Sequence, residues 1–469
     1  MTETRAVLPR RLGLVSAAAV VVGTTIGSGI FRSPASIAGR LPSPVPMMAV
    51  WIVGGALALC GALTLAELSS ALPRTGGFYA FIKEGWGNLP AFLFGWTELV
   101  IIRAAALGAV ATTFAEYALR LRTGAPMFGS ADNDVHYVAA AAIMLLSVVN
   151  ILGVRLSALV LELTVFAKYG ALMFLVVIAI ALHPAAASTA ASVATTATNT
   201  GAAGAAGVAG AAGAAATSGG ITAGAFALAL VSVLWAYDGW GDLSFIAGEV
   251  KNPERNMPRA LIGGTLAVVA IYLAANLAYL KVVPIAEMPA SKLIAADVAQ
   301  RLVGQWGVVL IGWAVVLSTF GTLNGSLLTA PRVFFAMAQD GLIFRQLGAV
   351  HKRFQTPYVG IYLNATLGVV FVLLRTFEQL ADTFVTAIVP FYALAVAAVF
   401  VLRRRKDWAP AYRVPGYPVV PALFILAAFY LLGSSLMEPS SRWPTVAVMA
   451  VTLAGIPVYR LAFRKRLAE

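Results

Sequence analysis

Charged side chains are scarce in this chain. Asp, Glu, Lys and Arg make up 11% of its 469 residues, whereas about a quarter is usual in soluble domains. Hydrophobic residues make up 60%, and the mean hydropathy is +0.86. This composition excludes an ordinary soluble globular protein and predicts a protein that is embedded in the lipid bilayer.

Cysteine and histidine are also rare. The single cysteine, Cys60, lies within a hydrophobic run, which excludes an internal disulfide, a cysteine metal cluster and a partner subunit held through an extracellular disulfide. The three histidines, His136, His183 and His351, lie at the ends of predicted helices, and no Cys/His/carboxylate cluster accompanies them. We therefore predict no bound metal, no cofactor and no enzymatic activity.

Hydrophobic runs of about 20 residues, long enough to cross a hydrocarbon core of about 30 Å, can be placed twelve times along the chain. No Ala-x-Ala cleavage site follows the basic N-terminal segment, so the first run is expected to remain as a helix. The twelve helices are predicted at 12–38, 46–72, 90–121, 136–154, 158–182, 223–248, 260–282, 307–337, 357–375, 380–404, 419–436 and 444–462.

The net charge of +13 is distributed as a membrane topology requires. Most of the 33 Lys and Arg residues fall in the termini and in the loops after even-numbered helices. Because positive residues mark the cytoplasmic side, both termini are predicted to be cytoplasmic in a multi-pass protein of the cell (inner) membrane. The basic clusters, such as 403–406, are then topology signals facing lipid, and no nucleic acid partner is expected.

The first and the sixth predicted helices are interrupted by glycines in mid-span. The interruptions contain Ile26-Gly27-Ser28-Gly29 and Tyr237-Asp238-Gly239. The first lies about 18 Å along its helix at 1.5 Å per residue, and the second lies at a similar depth from the opposite side. Non-helical backbone at this depth must face protein or a polar cavity, and paired interruptions indicate a transporter's binding site. We expect the two interruptions to meet. A plain glycine packing face at Gly23 and Gly27 is the alternative for the first one.

These interruptions predict a site for a zwitterion. Exposed amides at Gly27, Ser28 and Gly29, together with the helix dipole, suit a carboxylate. Backbone carbonyls that lose their helical hydrogen bonds suit an ammonium group, as does the carboxylate of Asp238. The carbonyls belong to Thr24, Thr25, Ile26, Trp235, Ala236 and Tyr237.

Further side chains near mid-depth are candidates for gating, selectivity or support. Trp235 and Trp240 could close over a substrate or could simply pack, and Phe391 and Tyr392 are weaker pocket candidates. Asp238 could bind the substrate's ammonium, select a cationic side chain, carry a proton or cap the following half-helix. Glu98 and Arg103, five residues apart, are predicted to form an intramembrane ion pair that supports the scaffold.

Lys168 lies near the middle of the fifth predicted helix, where an ammonium group must find oxygen partners. Ser318 and Thr319 of the eighth helix and the carbonyls of the first are its candidate partners. The lysine would then supply a structural cation in place of sodium, and transport would be sodium-independent. A purely structural pair with Glu162 is the alternative.

The order of the helices predicts an all-α fold with two inverted repeats. Five helices precede a low-complexity segment rich in Ala, Gly, Ser and Thr, and seven follow it; a repeat of five helices places its second copy upside down. The predicted divisions are a cytoplasmic N-terminus (1–11), a first repeat (12–182), a flexible extracellular loop (183–222), a second repeat (223–404), helices 11 and 12 with the loop before them (405–462) and a cytoplasmic C-terminus (463–469).

Short motifs along almost the whole chain resemble the amino acid-polyamine-organocation transporter superfamily, and within it the L-type amino acid transporter branch. Each motif alone is weak, but together they are specific. They are 26–31 (IGSGIF), 66–68 (AEL), 76–79 (GGFY), 114–117 (FAEY), 235–240 (WAYDGW), 249–255 (EVKNPER), 323–326 (LNGS) and 331–332 (PR).

This resemblance implies a leucine-transporter-like 5+5 fold with broken helices 1 and 6, plus two further helices. It also implies alternating access and sodium-independent exchange or facilitated passage of L-amino acids, with the substrate bound at the two breaks and a structural role for Lys168. Neutral amino acids are the expected substrates. Because some members that accept cationic substrates carry aspartate at the position of Asp238, cationic amino acids or polyamines remain an alternative, as does proton-coupled symport through Asp238 or Glu67.

Overall fold

The computed structural model describes residues 10, 12–122, 126–152, 164, 170, 172–179, 181, 222–354 and 356–463. Throughout these residues the chain is helical, apart from turns and one isolated β-bridge. Lys168 and residues 183–221 of the predicted extracellular loop lie outside the described residues.

Sixteen α-helices of the described residues are numbered in chain order, and the helical residues 172–179 lie between the seventh and the eighth of them. Before residue 153 they are α1 (Leu14–Thr25), α2 (Gly29–Arg40), α3 (Pro44–Ala71), α4 (Phe78–Trp86), α5 (Asn88–Thr97), α6 (Arg103–Arg120) and α7 (Ala131–Leu152). After residue 222 they are α8 (Ala223–Tyr237), α9 (Pro253–Val282), α10 (Ile294–Val303), α11 (Gln305–Gln339), α12 (Tyr358–Leu374), α13 (Phe377–Leu402), α14 (Val419–Met437), α15 (Pro439–Leu453) and α16 (Gly455–Ala462). A π-helical turn, Glu98–Ile102, joins α5 to α6, and a 3₁₀ segment, Asp242–Glu249, follows α8.

Among the described residues, nine helices are long and apolar enough to cross a membrane, or ten if the bent pair α1 and α2 is counted as one span. The sequence predicted twelve. The ninth predicted helix is α12, an apolar helix of 17 residues, and most of the fifth, 158–182, lies outside the described residues. The finding supports a polytopic helical membrane protein.

Two short amphipathic helices, α4 and α10, were not predicted, because neither contains a membrane-length apolar run. The seventh helix, predicted at 260–282, begins earlier in the structure than the sequence suggested. This helix, α9, begins at Pro253, since proline is well suited to the first position of a helix.

The helices define two opposite faces. The first, called the Leu12 face, is where the chain enters α1, where α3 ends near Glu67 and where α13 ends near Arg403. The second, called the Arg40 face, is where α2 ends, where α6 ends at Arg120 and where α13 begins near Glu378. At the Leu12 face, the backbone amide of Leu12 donates to the carbonyl of Glu249 (3.0 Å), and the amide of Lys251 donates to the carbonyl of Leu12 (2.8 Å). This two-bond β-bridge joins the segment before α1 to the segment after α8.

Close helix contacts surround the two interruptions. The long helix α9 packs along α3 and α1, α8 packs on α2 and α3, and α11 packs along α6. Small residues permit this approach: a Cβ on Gly264 of α9 would lie 2.8 Å from the Cβ of Val21. The interrupted helices are therefore held on several sides by unbroken ones.

Candidate functional site

The first interruption lies between α1 and α2. Helix α1 ends at Thr25, α2 begins at Gly29, and the two helices are bent by about 40°. The first N–H groups of any helix lack a helical partner, so the start of α2 directs amide donors and the positive end of its dipole at the gap. Gly27, Ser28 and Gly29 border a cavity there.

The second interruption follows α8 directly. The helix ends at Tyr237, Asp238 has an extended backbone (ψ 146°), and Gly239 has φ +109°. Residues other than glycine rarely adopt this φ. Gly239 therefore permits the change of chain direction that ends the helix. The interruption thus occurs at the residues that the sequence predicted.

The two interruptions lie against each other, which confirms that prediction. A Cβ on Gly29 would lie 2.7 Å from the Cβ of Ala236, and one on Gly239 would lie 2.7 Å from the amide nitrogen of Thr25. The hydroxyl of Thr24 also lies 3.2 Å from the carbonyl oxygen of Gly239. Only glycine fits at these two crossing points.

A tyrosine that the sequence analysis missed holds both interruptions. The hydroxyl of Tyr272, on α9, lies 2.8 Å from the carbonyl oxygen of Thr25 and 2.9 Å from that of Ala236. Both carbonyls were predicted to bind a substrate amine, and each keeps a second lone pair for that purpose. Nothing in the local sequence around Tyr272 indicated this contact.

A cavity of about 60 Å³ lies at the interruptions. Its lining includes the predicted Thr24, Thr25, Trp235 and Asp238. On α11 it is lined by Thr322, Gly325, Ser326 and Thr329, whose three- and four-residue spacing places them on one helix face. That polar face was not predicted.

Four ionisable groups lie in or beside the cavity. Asp238 accepts a hydrogen bond from the Tyr392 hydroxyl (2.5 Å). Arg103 donates through Nε to Glu98 Oε1 (2.9 Å), which confirms the predicted ion pair. Unexpectedly, Arg103 also lines the cavity, as does Asp242, and it interacts electrostatically with both aspartates. One guanidinium therefore faces three carboxylates.

Trp235 lines the cavity near the end of α8. Its buried ring packs edge-on against Phe384 (5.1 Å between centroids) and Phe377 (6.0 Å). Its indole N–H has no hydrogen-bond partner among the described residues. The two roles predicted for this residue, gating and ordinary packing, both remain predictions.

Other predicted site residues lie outside this cavity. Trp240 and Tyr392 line a second, apolar cavity on the far side of Asp238, between α8, α13 and α14. Tyr237 donates to the carbonyl of Trp51 (3.2 Å), and Phe391 packs on Phe94 (5.5 Å). Ile26 is buried at the end of α1, where its amide donates to the carbonyl of Val22 (2.9 Å).

The cation site predicted around Lys168 remains a prediction, since Lys168 lies outside the described residues. Of its candidate partners, Thr319 donates to the carbonyl of Val315 within its own helix (2.7 Å). The hydroxyl of Ser318 is buried and has no hydrogen-bond partner in the described part of the chain.

Glu67 lies away from the cavity, at the Leu12 face. Its buried carboxylate accepts from Arg403 (2.8 Å to Nε), Trp408 (3.2 Å) and the amide of Val414 (2.7 Å). This carboxylate raises the pKa of the Arg403 guanidinium by hydrogen bonding. The arrangement is that of an anchor for the segment after α13.

Two interrupted helices that meet over a polar cavity, within a bundle of membrane-length helices, define a membrane transporter. The chain matches the family model described as amino acid permease over residues 12–456. It belongs to this family, within the amino acid-polyamine-organocation superfamily, and it is an amino acid transporter rather than an enzyme.

Its relatives are exchangers and transporters of the L-type branch. It is 32% identical over 466 residues to the serine/threonine exchanger SteT of Bacillus subtilis, covering 98% of each chain. It is 31% identical to the human b(0,+)-type amino acid transporter 1 (97% of this chain, 88% of the relative) and 28% identical to the human cystine/glutamate transporter (97% and 85%).

Proposed function

We propose that this protein exchanges L-amino acids across the cell membrane by alternating access, without sodium. The observation that carries the proposal is the cavity shared by the two interruptions. The amides at Gly27–Gly29 would bind the substrate's carboxylate, and the carbonyls of Thr25 and Ala236 would bind its ammonium group. The Leu12 face, which is rich in positive charge, would face the cytoplasm.

Sodium independence is proposed from Lys168, which would supply a fixed cation beside the first interruption, with Ser318 and Thr319 as partners. A partner subunit would not be attached by a disulfide, since the single cysteine, Cys60, belongs to α3. The inverted 5+5 arrangement, with its two further helices, is part of the same proposal.

Small neutral amino acids are the first candidates for the substrate, in keeping with the serine/threonine exchanger among the relatives. A second candidate, cationic amino acids or polyamines, is favoured by one observation: Asp238 and Asp242 both line the cavity, whereas Arg103 already pairs with Glu98. Two carboxylates in excess would attract a cationic side chain, or alternatively a proton.

The test is counterflow in proteoliposomes. Vesicles preloaded with unlabelled amino acid, in sodium-free buffer, should take up labelled alanine about tenfold faster than empty vesicles, a difference of about 1.4 kcal/mol in barrier height. A competition profile then identifies the substrates. Uptake that needs sodium or a pH gradient, and is indifferent to preloading, would contradict the exchange proposal.

The variant Asp238→Asn distinguishes the two substrate classes in the same assay. If the carboxylate binds a cationic side chain, arginine uptake falls about tenfold or more while alanine uptake persists, because one close charge contact contributes over about 1.4 kcal/mol. Asp407→Asn, an exposed aspartate in the segment after α13, is the matched control. Equal loss of arginine and alanine uptake would instead mean that Asp238 supports the structure of the site and does not select the substrate's side chain.

A further inference from the structure

Arg32 is a buried arginine that the transport site does not use. It lies three residues after Gly29 on α2, about 4.5 Å further along the helix axis, and 7% of its surface is exposed. A guanidinium at this depth is costly unless it is neutralised by partners. Its position is on the path from the substrate cavity to the Arg40 face.

The partners of Arg32 come from two other helices. Its guanidinium contacts Glu116 on α6, and its Nη2 atom lies 3.0 Å from Glu378 Oε1 at the start of α13. It also lies over the ring of Phe377, 4.3 Å from the centroid. The neighbouring Tyr117 hydroxyl donates to the carbonyl of Phe31 (3.2 Å), which adds a second tie between α2 and α6.

These contacts form a continuous wall between two cavities. Trp235 lines the substrate cavity and packs on Phe377, Phe377 packs on Arg32, and Arg32 pairs with Glu116. Glu116 in turn lines a separate cavity at the Arg40 face, with Arg120, Asp134, Lys292 and Asp297. A substrate that moves directly from one of these cavities to the other would have to separate these contacts.

The chemistry of the wall suits repeated opening. One guanidinium faces two carboxylates, so the cluster is not a neutral pair. The side chain of Glu378 is 48% exposed, so water already reaches the cluster. When the contacts break, hydration of three charges offsets much of the lost pairing. An apolar contact of the same area would gain no favourable hydration when it separates, so its opening would cost more free energy.

We propose that Arg32 is the latch of the gate at the Arg40 face. It holds α2 against α6 and α13 when that side of the transport path is closed, and it must release Glu116 and Glu378 when the path opens. Arg32 is thus a positioning residue that sets the balance between the two access states. The inference assumes transport by alternating access, but its first test does not depend on the identity of the substrate.

The test measures access with a thiol reagent. In a Cys60→Ser background, Val110→Cys places one thiol in the substrate cavity, and a membrane-impermeant maleimide is applied to vesicles from either face. Arg32→Gln should raise the labelling rate from the Arg40 face about tenfold, the change that about 1.4 kcal/mol produces, and should lower the rate from the Leu12 face.

Three further variants make the result decisive. Glu378→Gln, at the half-exposed end of the latch, should shift labelling in the same direction even if Arg32→Gln folds poorly. The exchange pair Arg32→Glu with Glu116→Arg should slow labelling only in part, because it rebuilds the ion pair with α6 but places a second carboxylate beside Glu378. Arg301→Gln breaks an exposed pair with Glu287 at the same face (2.5 Å) and is the control.

Transport gives an independent readout. A released latch should lower the KM for substrate presented at the Arg40 face and raise the KM at the Leu12 face, because more molecules are open to the first side. A lesion that is only structural would lower the amount of active protein and leave both KM values unchanged. Wild-type labelling rates in folded Arg32→Gln or Glu378→Gln protein would overturn the latch. Loss of exchange alone would concern the proposed function, not this inference.

Discussion

The glycines of the first interruption differ in what surrounds them. At Gly29 an added Cβ would meet the backbone and side chain of Ala236, within 2.7 Å of its Cβ. At Gly27 it would lie 3.5 Å from Cγ2 of Thr322, which is ordinary van der Waals contact. The two residues share a candidate role in carboxylate binding, but only Gly29 is also required for the crossing of two helices.

We therefore expect Gly29→Ala to lower the free energy of unfolding by about 2 kcal/mol, a typical cost of overpacking, and to abolish exchange. Gly27→Ala should stay close to the wild type in stability and serves as the matched control. The measurement is thermal unfolding of the purified proteins, followed by counterflow. A Gly29→Ala protein as stable as Gly27→Ala would mean that the two interruptions do not cross this closely.

At the scale of elements, α9 connects the two interrupted helices through a single hydroxyl. Tyr272 lies within hydrogen-bond distance of the last turns of both α1 and α8, at the carbonyls of Thr25 and Ala236. Its neighbour Tyr237 also has a buried hydroxyl, but this one contacts the carbonyl of Trp51 on α3. One tyrosine bridges the site, whereas the other only supports it.

The pair Tyr272→Phe and Tyr237→Phe separates these roles. Each variant removes one hydroxyl beside a buried carbonyl and should cost about 1–3 kcal/mol of unfolding free energy. Only Tyr272→Phe should also reduce the exchange rate, by about tenfold. Loss of the bridge would displace the two carbonyls of the site, and a rise of about 1.4 kcal/mol in the transport barrier is enough for a tenfold effect. Unfolding and counterflow are measured on both proteins. Equal exchange rates would show that the bridge is not needed in the cycle.

The same elements show what the sequence could and could not predict. Both interruptions were predictable because glycines stood within membrane-length apolar runs, at Gly27, Gly29 and Gly239. The helices α4 and α10 were not predictable on this basis, because each is short and amphipathic and contains no membrane-length apolar run.

Contacts between distant residues set the other limit. Arg103 was recognised as the partner of Glu98, five residues away, but its place in the cavity depends on α8 and α11. The latch residues Arg32 and Glu378 are separated by 346 positions, and no local pattern relates them.

At the scale of the whole molecule, Glu67 joins α3 to the segment that follows α13. Four donors from that segment, two on Arg403 and one each on Trp408 and Val414, converge on its carboxylate. The sequence left open that Glu67 carries a coupled proton. Its distance from the cavity lining and its full set of donors favour a role in anchoring.

We expect Glu67→Gln to lower the free energy of unfolding by about 3 kcal/mol, because it leaves the Arg403 guanidinium without its counter-ion. The dependence of uptake on an imposed pH gradient should be the same as in the wild type. Glu84→Gln, which alters a more exposed pair with Arg405, is the control and should cost less than about 1 kcal/mol. An altered pH-gradient response in Glu67→Gln would return Glu67 to the candidates for proton coupling.

The bridge between Leu12 and the Glu249–Lys251 segment has a different consequence. Both of its hydrogen bonds join backbone atoms, so they do not depend on which side chains occupy these positions. Point substitutions can alter the pocket, the gate or the surface charge and leave this bridge intact. Proline at either donor position is the exception, because it has no N–H to donate. Substitutions at the cavity can therefore change which substrate is bound without altering the backbone connection between these two segments.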